Sequence, residues 1–286
     1  MVKNLFFCFC CGLFFSVDAQ DCNVIVFHSE FEEDQFSKPQ NQLAQLLMAD
    51  ESATMDEYIQ FDRELDDYIN SLKIKRAKTK KNKDFISFVF YRTHRKYLKR
   101  YAPFTSLASL SKSGKYDCLS ATSLYSYIFS ELGIDHSVIE TSYHIYLKIN
   151  ADEGDLLIES TDPIYGFVDR QNEIEERLNE IDKDAVAVEN TYSFTSVVND
   201  KISFQELIGL QYYNLAVAAF NAQHYENAIN LLSKGLIFRN HSRTTEFGLV
   251  IAQAVMKDDD LDQDSKLGYV NKLQRLFHSS TTLASR

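Results

Sequence analysis

The chain has 286 residues, a formal net charge of −11 and a hydrophobic fraction of 45%. This is the composition of a globular protein long enough for two modest domains, and only three prolines and nine glycines argue against long disordered linkers. The acidic balance argues against a nucleic-acid partner.

Residues 1–19 are typical of a cleavable secretory signal peptide. Lys3 precedes a short apolar run, and Val17 and Ala19 form a small-residue cleavage site. Because this run is too short to span a bilayer comfortably, we expect an exported protein with no membrane span after signal removal. Its destination would be the periplasm, the cell envelope or the exterior. The alternative is a retained membrane anchor.

The cysteine content excludes the disulfide framework of a small secreted domain. Cys8, Cys10 and Cys11 would leave with the signal peptide, so the mature chain would keep only Cys22 and Cys118.

Two helices are predicted after a polar segment of irregular pattern at residues 20–55. Residues 56–72 and 85–101 both carry apolar side chains at helical spacing. Between and within them lies a basic cluster that begins at Lys73 and continues to Arg100. This cluster would be a solvated helix face or, alternatively, a surface for an acidic ligand in an adhesin.

Cys118 lies at a predicted helix start. Gly114 and Asp117 precede it, and the helix would extend to Leu132, where Gly133 stops it. Because a helix N-terminus has unpaired N–H groups and a positive dipole end, we expect a lowered thiol pKa and a reactive thiolate. The alternative is a small buried hydrophobic residue.

Three β-rich runs follow, at residues 136–140, 143–149 and 156–159, with a predicted hairpin turn at 152–155. A helix followed by a strand meander predicts an α+β fold. His144 lies in the second run and Glu159 in the third, in the order that a Cys-His-carboxylate triad requires. Asp162 is the alternative acid, and His136 and His94 are the alternative bases.

A helical C-terminal unit is predicted for residues 201–286. The stretch from Tyr212 to Gly235 resembles a tetratricopeptide repeat, with small residues where two helices approach closely, although Asn240 stands where a proline is usual. A second helix pair would cover 245–256 and 265–277. This is short of the three repeats that a free solenoid needs, so we expect the unit to pack on the preceding domain. It would bind a protein partner or act as a plain cap.

The stretch from about Gly114 to Gly166 resembles the transglutaminase-like superfamily, whose core is related to papain. The matching pieces are Gly114 to Cys118, the helix end at 131–134, the strand around His144, and the run 158–161. In that family a helix-starting cysteine is followed by a histidine on the next strand and an aspartate on the strand after.

This resemblance implies a transglutaminase-like domain at residues 56–200. Cys118, His144 and an acid would act on protein or peptide amides, by hydrolysis or by acyl transfer. Glu159 stands at the position of the family's aspartate, with Asp162 three residues on. The alternative function is a non-catalytic scaffold of this fold that binds proteins. The chain has no clustered His/Cys spacing and no glycine-rich phosphate loop, so we expect neither metal nor cofactor.

Overall fold

The computed structural model describes residues 25–151, 154–189 and 198–283. The predicted signal peptide, Cys22 and the first two residues of the predicted 152–155 turn lie outside these ranges.

The described residues form helices and short strands in alternating groups. The helices are α1 (Glu30–Ser37), α2 (Gln42–Leu47), α3 (Met55–Arg76), α4 (Asn82–Tyr97), α5 (Leu107–Ser113), α6 (Cys118–Glu131), α7 (Gln171–Glu189), α8 (Phe204–Asn221), α9 (Tyr225–Phe238), α10 (Ser242–Lys257) and α11 (Gln263–Leu283). The strands are β1 (Arg100–Tyr101), β2 (Lys115–Tyr116), β3 (Ser137–Thr141), β4 (Ile145–Ala151), β5 (Gly154–Ile158), β6 (Phe167–Val168) and β7 (Asn199–Ile202).

A five-stranded antiparallel sheet lies at the centre, in the order β6-β5-β4-β3-β7. The meander β3-β4-β5 follows the chain, and its register sets Ile139 opposite Tyr146 and Leu147 opposite Ile158. The α+β fold class is confirmed. The edge strand β7 was not predicted from the sequence, and it pairs with β3 through Val138 and Ile202.

The N-terminal segment differs from the sequence prediction. Residues 20–55 were predicted to be polar and irregular, but their described part contains α1 and α2. Phe31, Leu43 and Leu46 of these helices are buried in the main core. Helix α1 has eight residues and α2 has six, so both have too few turns to show a clear apolar period.

The buried core is continuous across residue 200, where the sequence pattern placed a domain boundary. A single cluster joins residues of α3, α4 and α6 with residues of α8, α9 and α10, including Leu65, Phe90, Tyr125, Tyr212 and Ile251. The predicted packing of the C-terminal helices on the preceding domain is therefore confirmed. Helices α8 and α9 form a close hairpin in which the backbones of Gly209 and Gly235 approach each other.

Candidate active site

Cys118 is the first residue of α6, as the sequence predicts. Asp117 caps the helix: its Oδ1 accepts from the backbone N–H of Ser120 at 2.8 Å, and its own N–H donates to Ser120 Oγ at 2.9 Å. Gly114 ends α5 with a positive φ of 68°, a conformation that glycine adopts without strain. These local features fix the direction in which α6 leaves the preceding turn.

The protonation of the Cys118 thiol corrects the sequence prediction. Burial raises its pKa to about 12, and the carboxylates of Asp117 and Glu159 act in the same direction. The backbone N–H groups of Leu119 and Cys118 lower the pKa, but desolvation outweighs them. The resting thiol is therefore protonated at neutral pH, and a helix N-terminus alone does not produce a thiolate here.

His144 and Glu159 form a close pair. Nε2 of His144 lies 2.6 Å from Oε1 of Glu159, whose side chain is only 7% exposed. The imidazole is 25% exposed. Among the described residues Nδ1 of His144 has no hydrogen-bond partner, so this ring nitrogen is available to a reacting group.

Two hydroxyl groups connect the segments that carry Cys118, His144 and Glu159. Thr122 Oγ1 and Ser160 Oγ lie 2.9 Å apart, and both are fully buried. Thr122 stands one helical turn after Cys118, and Ser160 directly follows Glu159; Ser160 Oγ also donates to the carbonyl oxygen of Cys118 at 3.4 Å. Thr122 Oγ1 reaches the carbonyl of Ile145, next to His144, at 3.5 Å. The pair thus holds α6 against the ends of β4 and β5.

The two candidate acids of the sequence analysis, Glu159 and Asp162, have different contacts in the structure. Asp162 Oδ1 accepts from the backbone N–H groups of Ile164 and Tyr165, at 3.0 and 2.9 Å, and Oδ2 lies 3.4 Å from a guanidinium nitrogen of Arg177. Asp162 therefore stabilises the turn after β5, while Glu159 contacts the imidazole.

The two alternative bases, His136 and His94, contact groups other than Cys118. His136 contacts Ser126 Oγ at 2.8 Å with Nε2 and the carbonyl of Ile134 at 2.9 Å with Nδ1. His94 is buried beside the rings of Phe90 and Tyr116. Of the three histidines considered from the sequence, only His144 shares a cavity with Cys118.

This cavity, of about 60 Å³, has walls from both halves of the chain. Cys118, Leu119 and the segment around His144 form one side, and Leu210, Tyr213 and Asn214 of α8 with Arg243 of α10 form the other. Asn214 Nδ2 also donates to Asp117 Oδ2 at 3.4 Å, directly beside the cysteine. The C-terminal helices are thus part of the candidate site, which the sequence pattern did not indicate.

A carboxylate–arginine cluster borders the cavity. Glu140, at the end of β3, is buried and contacts Arg239 at 2.6 Å and Arg243 at 3.1 Å. Burial raises the pKa of Glu140, and the two arginines oppose that shift. The guanidinium of Arg243 also lies over the Tyr213 ring, 5.1 Å from its centroid.

The basic cluster between Lys73 and Arg100 lies apart from this cavity. Lys83 pairs with Asp169 at 2.6 Å and Lys96 with Glu64 at 2.7 Å, while Lys75 and Arg92 lie over the Phe88 ring. This arrangement is typical of a solvated helix face.

Neither a metal-binding cluster nor a membrane-spanning helix is present in the part of the chain that the structure describes. Within residues 25–151, 154–189 and 198–283, no three His, Cys, Asp or Glu side chains are grouped to hold a metal ion. No helix in the same ranges combines the length and apolarity that crossing a membrane requires. Comparisons of the chain with protein-family models, with curated proteins and with solved structures found no match.

Proposed function

We propose that the chain is an exported, transglutaminase-like cysteine hydrolase or acyltransferase that acts on protein or peptide amide bonds. One observation carries the proposal: Cys118 and His144 line the same cavity, and Glu159 contacts Nε2 of the His144 imidazole. A nucleophile, a base and an orienting acid with these contacts are the components of a cysteine-based triad.

The chemistry begins from a neutral thiol. Nδ1 of His144 takes the thiol proton as the sulfur of Cys118 attacks the amide carbonyl carbon, and Glu159 stabilises the imidazolium that forms. The imidazolium then gives this proton to the leaving amine, and a thioester remains on the sulfur. The backbone N–H of Cys118, in the first turn of α6, is one donor for the developing oxyanion.

Proximity to Cys118 in the chain makes Tyr116 and the turn at 111–113 the candidates for a second oxyanion donor. Tyr116 and the turn at 111–113 are absent from the described lining of the cavity. The hydroxyls of Ser111 and Ser113 bond to carbonyls within α5.

Attack on the thioester by water gives hydrolysis or deamidation, and attack by a lysine amine gives a cross-link. A cavity of about 60 Å³ admits a side-chain end or one peptide unit. The proposed substrate is a protein or peptide amide, and this scheme uses neither a metal nor a cofactor.

A non-catalytic scaffold is the second candidate, and the raised pKa of Cys118 favours it. In that case the cavity and the tetratricopeptide-like helices α8 to α11 would hold a protein partner without turnover. The two functions differ in whether a product forms.

The test is incubation of the protein with a tryptic digest of casein, read by mass spectrometry for cleavage, deamidation and cross-links. We expect product with the wild type and with His224→Ala, an exposed histidine away from the cavity. We expect none with Cys118→Ser or His144→Ala. Product that survives Cys118→Ser, or its absence from the wild type, would overturn the enzyme proposal.

A further inference from the structure

Arg243 is the cation of the candidate site. It is the sole lysine or arginine in the cavity lining that the structure describes, and it shares this cavity with Cys118 and His144. Its side chain is 23% exposed. It comes from α10, more than a hundred residues after Cys118 in the chain.

The guanidinium of Arg243 is held in place, but its contacts do not use all of its hydrogen-bond donors. NH1 of Arg243 contacts Glu140 Oε1 at 3.1 Å, and the planar group lies over Tyr213. A guanidinium has five N–H donors in a fixed fork, which matches the two oxygens of a carboxylate. Glu140 and the hydroxyl of Tyr213, which also accepts from Arg243, use part of this fork and leave donors for a second carboxylate.

The acids near the cavity have other partners. Glu140 is shared with Arg239, whose nitrogen lies closer, at 2.6 Å. Asp117 Oδ2 accepts from the backbone N–H of Thr105 at 3.1 Å and from Asn214, and Glu159 is bound to His144. Each of these three carboxylates therefore has a partner other than Arg243.

We infer that Arg243 is a specificity-determining residue that binds a carboxylate of the substrate beside the amide to be attacked. The inference rests on the proposed function and narrows its substrate class to acidic peptides. The carboxylate belongs either to an aspartate or glutamate side chain or to a free chain end. Both sources present the same two oxygens to the guanidinium.

The first test compares alkylation of Cys118 by iodoacetate, which carries a carboxylate, and by iodoacetamide, which is neutral and of similar size. The reaction is read at the Cys118 peptide at pH 9, where arginine keeps its charge. We expect Arg243→Gln to lower the ratio of the iodoacetate rate to the iodoacetamide rate about tenfold. Arg170→Gln is the matched control, since Arg170 is 72% exposed on α7's N-terminal side and should leave the ratio unchanged.

A ratio that is the same in Arg243→Gln and the wild type would overturn the inference and leave the proposed function standing. Arg243→Lys keeps the positive charge but loses the forked arrangement of donors. We therefore expect a rate ratio between that of the wild type and that of Arg243→Gln. This variant decides the matter if Arg243→Gln does not fold.

A binding measurement covers the case in which Cys118 reacts with neither reagent. The Cys118→Ser variant is titrated with three capped amino acids: N-acetylglutamate amide, N-acetylglutamine with a free carboxylate, and N-acetylglutamine amide. Tighter binding of the first supports a side-chain carboxylate, and tighter binding of the second supports a chain end. Equal binding of all three would overturn the inference, whatever the outcome for turnover.

Discussion

Nε2 of His144 lies 2.6 Å from Oε1 of Glu159, and this contact selects one of the two acids that the sequence offered. Thr161 Oγ1 donates to the same Oε1 at 3.2 Å, so the carboxylate is held from two sides. Asp162 instead bonds to its own turn and to Arg177. The extra methylene of glutamate is therefore compatible with the geometry of the pair.

Glu159→Gln should lower amide turnover strongly while Asp162→Asn should not. A glutamine at 159 keeps the shape but does not stabilise an imidazolium, and we expect a loss of about 100-fold or more in kcat. The measurement is the rate of product formation from the acidic fraction of the casein digest. Comparable losses in the two variants would contradict the assignment of Glu159.

The alkylation of Cys118 should rise continuously with pH. A group whose pKa is raised stays protonated up to the shifted value, so the thiolate fraction should grow about tenfold per pH unit from pH 6 to 10. At pH 8 the native protein should react roughly 100-fold more slowly with iodoacetamide at Cys118 than the same protein in urea.

A plateau of fast labelling below neutral pH, lost in His144→Ala, would contradict this prediction. Such a plateau would indicate a thiolate–imidazolium pair in the resting protein.

Lys234→Met should destabilise the protein by about 3 kcal/mol. Lys234 Nζ lies 2.8 Å from both carboxylate oxygens of Glu32, and both side chains are almost completely buried. Tyr212 donates to Glu32 at 2.7 Å and the backbone N–H of His28 does so at 2.7 Å, so the substitution leaves the buried carboxylate with hydrogen-bond donors but without its ammonium partner. The measurement is the free energy of unfolding in urea.

Lys272→Met is the matched control for that change. Lys272 pairs with Glu226 at 2.7 Å, but both side chains are substantially exposed, so we expect a loss of under about 1 kcal/mol. Equal effects of the two substitutions would show that the buried pair does not anchor α1 to α9.

Gly209→Ala should destabilise the hairpin of α8 and α9. An added Cβ at Gly209 would lie 2.8 Å from Arg239 Cβ and 3.1 Å from the carbonyl oxygen of Gly235, closer than side chains normally pack. We expect a loss of about 1–3 kcal/mol in the free energy of unfolding. Because Arg239 contacts Glu140, this change should also alter the wall of the cavity.

Gly268→Ala, in α11 of the same C-terminal unit, should have the opposite effect on the stability of the protein. Nothing lies within 4 Å of a Cβ at Gly268, so alanine should stabilise α11 by up to about 1 kcal/mol through its better helix propensity. A thermal-unfolding series on both variants checks the pair. A destabilising Gly268→Ala would contradict the open environment of this position.

The sequence by itself determined the order of the main helices and the three central strands. It also determined the start of α6 at Cys118, and it suggested His144 as the base, with His136 and His94 as alternatives and with two possible acids. These features depend on periodicity, capping and turn residues, which act over a few neighbouring positions. The short helices α1, α2 and α5 and the edge strand β7 were not predicted, because an element of so few residues shows no clear hydrophobic periodicity.

Only the tertiary structure decided how the site is assembled. It brought Arg243 and Asn214 to the cavity from distant helices, and it placed Glu159, not Asp162, on the imidazole. It also reversed the expected pKa shift of Cys118. The physical reason is that desolvation and charge proximity depend on which elements pack together, and no local pattern of residues specifies that packing.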